Sequence, residues 1–170
     1  MMKIYEVGDL IIIRNTKEDE LDYVVEAEKK PENAQFVLQW TKEQHREALD
    51  QGDILHLIIA EKASDQPVGY IILAGITGYS RSIDFKRIVI TDKGKGFGRQ
   101  AVSLIKKIAF KRLNAHRLWL DVVSNNHRAR NLYKSEGFTE EGLMRECILM
   151  NGGYQSMVLM SILEDEHLEA

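Results

Sequence analysis

Apolar and polar positions along the chain change period several times, and each change marks an element. Residues 10–13, Leu-Ile-Ile-Ile, form a β-branched run that predicts the first strand. Thr16 followed by early acids predicts a helix over residues 16–29, interrupted by Pro31. Thr41-x-x-Gln44 has capping-box spacing and opens a second helix to about Asp50, closed by Gly52. Two strands, over residues 54–60 and 68–75, flank a Ser64-Asp65-Gln66-Pro67 turn. After Gly78 a strand over residues 82–90 returns antiparallel, so the three strands predict a meander. Strict alternation along it puts Asp84, Lys86, Ile88 and Ile90 on one face and Phe85, Arg87 and Val89 on the other.

The pattern then switches to the helical period. Ala101, Val102, Leu104, Ile105, Ile108, Ala109 and Leu113 recur at that spacing, and Lys106, Lys107, Lys111 and Arg112 crowd the negative end of the helix dipole. A strand over residues 116–123 follows, and the helical crossover predicts that it runs parallel to the strand carrying Ile88. Asn125 or Asn126 caps a further helix that buries Ala129, Leu132 and Tyr133, and Gly137 stops it.

Between the Ile88 strand and the crossover helix lies Lys93-Gly94-Lys95-Gly96-Phe97-Gly98, with glycine at alternate positions. Glycine lets backbone amides approach a ligand without Cβ interference. There the first-turn N–H groups meet the positive end of the helix dipole, with charge from Lys93, Lys95 and Arg99, which suits a phosphate or pyrophosphate. A P-loop is excluded, because no Lys-Ser or Lys-Thr follows the glycines. A dinucleotide fingerprint fits in one respect only: Asp121 lies about 20 residues on, where a ribose-binding acid belongs. A loop that merely turns a corner is the plain alternative.

At 170 residues the chain suits one domain, taken as residues 1–170. The 44% hydrophobic and 29% charged composition is that of a globular protein, and a net charge of −3 argues against bulk nucleic-acid binding while leaving room for a cationic substrate. One cysteine excludes an internal disulfide and fits a reducing compartment; Cys147, beside Ile148, Leu149 and Met150, reads as a buried thiol. Without a signal-peptide pattern or a span-length apolar run, the expected location is cytoplasmic, with no membrane partner. The histidines at 45, 56, 116, 127 and 167 show no i, i+4 pair or shared acid, so no metal site is expected.

The glycine loop, followed about thirty residues later by Asn126-x-x-Ala129-x-x-Leu132-Tyr133-x-x-x-Gly137-Phe138, resembles the GNAT superfamily of acetyl-CoA-dependent N-acetyltransferases. Glu141-Gly142-Leu143-Met144-Arg145-Glu146 and Gly153-Tyr154 are similar to the branch holding the ribosomal-protein N-terminal and the spermidine and spermine N-acetyltransferases. Lys93 departs from the family's Gln or Arg, and the link from strand to loop is about one residue short and lacks its common Pro. The resemblance implies a mixed α/β fold. Its mostly antiparallel sheet has one parallel pair splayed around an acetyl-CoA cleft and about four flanking helices.

It also implies site roles. The pyrophosphate of CoA would lie on amides of Lys93, Gly94, Lys95, Gly96, Phe97, Gly98 and Arg99, and the pantetheine arm beside Ile88, Val89 and Ile90 and on Asn126. Arg128 and Arg130 stand where a phosphate contact is available. Tyr133 would be the general acid and Asp84 the base, with Glu26 or a water chain as its alternative. Glu26, Glu28, Glu32 and Glu43 are candidate acceptor contacts. The implied acceptor is a small-molecule amine such as a polyamine, or a protein N-terminus, and a homodimer is among the states allowed. A non-catalytic acyl-CoA-sensing module is the alternative from another class.

Overall fold

The computed structural model describes residues 1–168; Glu169 and Ala170, the last two residues of the expected domain, lie outside the described residues. Eight strands form one sheet: β1 (Ile4–Val7), β2 (Ile11–Asn15), β3 (Ile54–Glu61), β4 (Pro67–Ala74), β5 (Ser82–Ile90), β6 (Arg117–Val123), β7 (Thr139–Met150) and β8 (Gly153–Leu163). Their order is β1-β2-β3-β4-β5-β6-β8-β7, and every neighbouring pair is antiparallel except β5 with β6. Four helices reach nine residues or more: α1 (Leu21–Lys29), α3 (Lys42–Asp50), α4 (Phe97–Lys107) and α5 (His127–Ser135). Two short ones, α2 (Pro31–Ala34) and α6 (Glu164–Leu168), complete the set among the described residues.

Two apolar layers sandwich the sheet. One joins Ile11, Ile13, Ile71, Ile83 and Phe85 to the inner faces of α4 and α5; the other joins Val24 and Ala27 of α1 to Ile58, Tyr70, Ile72 and Val89. Assignment of β5 to these layers corrects the expected alternation. Arg87 pairs with Ile72 but Phe85 pairs with Leu73, so Lys86 is an extra residue, a bulge. Because the side-chain period of a strand is two, one extra residue exchanges the faces beyond it. Ile83, Phe85, Ile88 and Ile90 therefore join the α4 layer, and Val89 the α1 layer. Asp84 and Arg87, placed on opposite faces by simple alternation, share one.

The N-terminal expectations need two further corrections. A strand at Ile4–Val7 precedes the expected first one; largely exposed at the sheet edge, it carries no alternating pattern to read. Thr16 caps no helix: its Oγ1 lies 2.8 Å from Nδ1 of buried His56, and a 3-10 turn over Glu18–Glu20 leads into α1. Thr41 does cap α3, accepting from Gln44 N–H at 3.1 Å while the Gln44 side chain takes Thr41 N–H at 2.8 Å. Cys147 is exposed rather than buried. It sits in an irregularity of β7, where pairing jumps from Met144–Met157 to Ile148–Gln155 and lifts Cys147 out of the alternation.

Candidate active site

Pairing of β5 with β6 ends after three residues, Ser82 with Arg117, Ile83 with Leu118 and Asp84 with Trp119. Beyond Asp84 the strands part, leaving a cleft of about 1290 Å³ between Ile88 and Ile90 on one side and residues 120–123 on the other. The far edge of β5 is hydrogen-bonded to β4 up to Ile90, so its cleft edge is an unused row of backbone groups. An amide-bearing chain can dock there as an added strand.

The glycine loop closes one end of the cleft. Gly94 and Gly96 have φ of 82° and 81°, conformations that L side chains resist, so these glycines shape the turn itself. Gly98 is different: a Cβ there would meet Ile90 Cγ1 at 3.6 Å, and the bare position keeps the helix start open to β5. α4 has no side-chain cap, and no backbone N–H of residues 92–99 donates to an acceptor among the described residues. The unpaired N–H groups of the glycine loop and the first turn of α4 form an anion site. Arg99 and Arg128 line the same end; Arg99 also donates to Ser135 Oγ at 2.7 Å. Lys93 turns aside to Asn33 Oδ1 at 2.9 Å, and burial, with Arg128 nearby, lowers its ammonium below the usual range. The exposed Lys95 pairs with Asp92 at 2.8 Å. Both lysines therefore contribute their amides more directly than their charges.

α5 forms the next wall. Asn126 Oδ1 accepts from Ala129 N–H at 3.3 Å, which leaves its amide NH₂ at the cleft. Tyr133 is buried, edge-on to Phe85 at 6.2 Å and tilted against Phe138 at 5.7 Å, and its hydroxyl has no hydrogen-bond partner among the described residues. Burial pushes its phenol well above the ordinary range. Arg130 faces away, bonded to Glu140 at 2.9 Å and to the Ser124 carbonyl at 2.6 Å.

Where the strands part stand two carboxylates. Asp84 lies opposite Trp119 in the parallel register, and Asp121, two residues on, shares its face. Burial pushes Asp84 up to about 6; Lys86 opposes this and the charge of Asp121 adds to it. Asp121 is raised too, mainly by burial. It is the only acid in Leu118-Trp119-Leu120-Asp121-Val122-Val123, and it lines the cleft together with Asp84.

Of the four glutamates named from the sequence, only Glu32 lines the cleft. Glu26 and Glu43 pair with Lys29 and Arg46 on the surface. Glu28 is fully buried, and it gathers His45 directly and His56 through His45. His45 Nε2 lies 2.8 Å and Arg87 Nη1 2.6 Å from Glu28 Oε1, which also accepts from the Tyr70 hydroxyl; Trp40 N–H reaches Oε2 at 2.9 Å. His56 Nε2 joins His45 Nδ1 at 3.0 Å. Burial raises the Glu28 carboxyl, but its hydrogen bonds, led by His45 and Tyr70, outweigh that and hold it below the usual range. Burial, helped by His45, depresses His56 to about 3, so this imidazole is neutral. Among the described residues no group of three or more His, Cys, Asp or Glu is arranged to hold a metal ion, and no helix is long and apolar enough to cross a membrane.

The same architecture recurs in known proteins. The crystal structure of spermidine N-acetyltransferase from Vibrio cholerae in complex with CoA and spermine superposes with a TM-score of 0.85, at 24% identity over 95% of this chain and 99% of that one. The curated spermidine N(1)-acetyltransferase of Vibrio cholerae serotype O1 is 34% identical over 111 residues, 65% of this chain; the match spans 64% of that relative, just under two thirds of its length. Its counterpart in Escherichia coli K12 is 24% identical over 165 residues, 92% of this chain and 87% of the relative. The acetyltransferase (GNAT) domain model matches residues 10–139, which hold the glycine loop, the splayed strands and α5, and the chain belongs to the GNAT acetyltransferase family.

Proposed function

We propose that this chain catalyses acetyl transfer from acetyl-CoA to a primary amine, with a polyamine of the spermidine class as the first acceptor. One observation carries the reading. The free amides of residues 92–99, the unused edge of β5 and the Asp84–Asp121 pair lie along one cleft, in the order that an anionic head, an amide-bearing arm and a reacting amine require. The polyamine class is supported by the names of the relatives and by the carboxylates Glu32, Asp84 and Asp121 lining the cleft.

When bound, acetyl-CoA supplies an acyl carbon activated as a thioester. The amides of residues 92–99 and Arg128 hold its phosphates; the edge of β5 and the Asn126 amide align the arm. Asp84 takes a proton from the acceptor ammonium, directly or through water, and burial brings its basicity close to neutral pH, where a general base is most effective. The amine nitrogen then forms the new C–N bond as the C–S bond breaks, and the electron pair leaves on sulfur. The surplus proton on nitrogen passes to water, from which Tyr133 recovers the proton it gives up. Tyr133 keeps its phenolic proton at neutral pH and gives it to the departing thiolate.

Calorimetric titration with acetyl-CoA, followed by thiol release against polyamines, N-terminal peptides and aminoglycosides, tests the reading. Release with spermidine is the expected result. Release with peptides alone replaces the acceptor by a protein N-terminus, tight binding without release leaves the acyl-CoA-sensing module, and absence of binding refutes the cradle.

A further inference from the structure

Arg87 is the only arginine of β5, and the bulge at Lys86 brings it onto the face of Asp84. Its side chain is 8% exposed, and what is exposed lines the cleft. Glu28 takes Nη1 at 2.6 Å, the Tyr70 hydroxyl lies beside the guanidinium, and the group stacks on the Trp40 ring at 4.6 Å. No acceptor among the described residues takes Nε or Nη2 in a hydrogen bond of ordinary geometry, and neither atom is fully buried. The group is therefore fixed on one edge and open on the other.

That fixation is elaborate. His45 donates Nε2–H to the Glu28 carboxylate, its Nδ1 is hydrogen-bonded to His56 Nε2, and His56 Nδ1 is hydrogen-bonded to the Thr16 hydroxyl. Every imidazole nitrogen in the row has a hydrogen-bond partner. Elements as far apart as α1, α3, β3, β4 and β5 converge on one buried carboxylate whose visible products at the cleft are the orientations of Arg87 and Trp40. A buried ionic network adds little net stability compared with apolar packing, so its value lies in what it fixes in place.

We propose that Arg87 is an acceptor-binding residue that receives a carboxylate or carbonyl oxygen of the acceptor on its open Nε and Nη2 edge, and that Glu28 is the positioning residue that holds it there. A planar donor fork in a dry corner matches a planar oxygen acceptor and offers nothing to an ammonium. The cleft is then bipolar. Asp84 and Arg87 pair with residues two apart on β4, which puts their Cα atoms about 7 Å apart along β5. An acceptor with an amine at one end and a carboxylate several bonds away spans this distance, whereas a pure polyamine leaves the Arg87 corner unused. The inference rests on the acetyl-transfer reading but not on its polyamine assignment.

The test uses two acceptors that share a terminal amine and differ by one carboxylate, cadaverine and L-lysine, with spermidine as a third. In the unaltered protein kcat/KM is expected to favour L-lysine over cadaverine. Arg87→Gln and Glu28→Gln should lower that ratio at least tenfold, mainly through KM for L-lysine. Acetyl-CoA affinity by calorimetry should stay the same, which damage to the fold would not allow. Arg87→Lys keeps the charge but loses the fork and should recover only part of the ratio, while Glu28→Asp should restore part of what Glu28→Gln loses. A ratio at or below one in the unaltered protein, or one that neither variant moves, overturns the inference. Turnover of spermidine alone does so as well, yet leaves acetyl transfer standing; no turnover of any amine removes both.

Discussion

Asp84 makes a prediction in which stability and catalysis move in opposite directions. Its carboxyl is pushed from the ordinary 3.8 up to about 6, first by burial and further by Asp121, against the pull of Lys86. A rise of about two on the pH scale corresponds to about 3 kcal/mol, at about 1.4 kcal/mol for each factor of ten in the protonation equilibrium. The group is only half-buried, so solvent screening trims this to about 1–2 kcal/mol. Because the folded-state value lies above the unfolded one, the ionised carboxylate works against folding. That penalty is fully present above pH ~6 and gone below pH ~4. Asp84→Asn resembles the protonated acid and avoids it.

At pH 8 the Asn variant should therefore be more stable by about 1–2 kcal/mol, about 2–8 °C in Tm for a chain of this size. As pH falls through 6 towards 4 the gap should close. Activity should run the other way. The unaltered enzyme should gain kcat/KM as pH rises through about 6, where the base ionises. The variant should lose this limb and at least ~10²-fold in rate. An acceptor ammonium beside the carboxylate stabilises its charge, so the same limb in kcat should lie at lower pH. Differential scanning calorimetry at pH 8, 6 and 4.5, with thiol-release kinetics over the same range, measures both. A variant no more stable than the unaltered protein at pH 8, or a gap that persists at pH 4.5, would refute the reasoning.

Tyr133→Phe removes a hydroxyl that has no partner among the described residues and leaves the packing on Phe85 and Phe138 intact. Stability should change by less than ~1 kcal/mol, kcat should fall at least ~10²-fold, and calorimetry should find acetyl-CoA affinity unaltered. Gly98→Val meets only ordinary contacts at Ile90 and Leu132, yet places methyl groups at the cradle; acetyl-CoA affinity should drop at least ~10-fold, about 1.4 kcal/mol, in a protein of near-normal Tm. Deleting Lys86 removes the bulge while keeping Phe85 and Arg87 on their present faces, so circular dichroism should report a folded sheet, whereas a straighter β5 should narrow the cleft and cost at least ~10-fold in acetyl-CoA affinity.

What the sequence reveals and what it hides divide along local and non-local lines. β5, the Thr41–Gln44 capping box, the turn shaped by Gly94 and Gly96 and the Asn126 cap are all set within a few residues, and each is visible in the residue order. The parallel β5–β6 pair is legible because a helical crossover between adjacent strands fixes its direction. The bulge is not. Phe85-Lys86-Arg87-Ile88-Val89-Ile90 offers an equally good alternation without an extra residue, and only pairing with β4 shows that Lys86 has no partner. Glu28, His45 and His56 lie 17 and 11 residues apart on three elements and meet only when the sheet and its α1 layer assemble. No spacing rule joins them. Cys147 follows the same logic, for its exposure depends on a change of register opposite β8.

These hidden features have a common cause that bears on how the acceptor end is built. The cradle depends on backbone donors in a local turn, so any chain that keeps the glycines and the start of α4 keeps it. The acceptor end instead depends on side chains whose positions are fixed at a distance: Asp84 and Arg87 by a bulge defined against β4, Arg87 and Trp40 by a carboxylate on α1, and that carboxylate by a histidine on α3. Removing one partner of such a network leaves a buried charge uncompensated, at a typical cost of 3–5 kcal/mol, so its members cannot drift singly. Asp121 and Glu32 carry no such tie to Glu28, and each can change without breaking a buried pair. On the proposed acetyl-transfer reading, acceptor choice would therefore shift at Asp121 and Glu32 while the glycine loop and the Glu28 network stay in place.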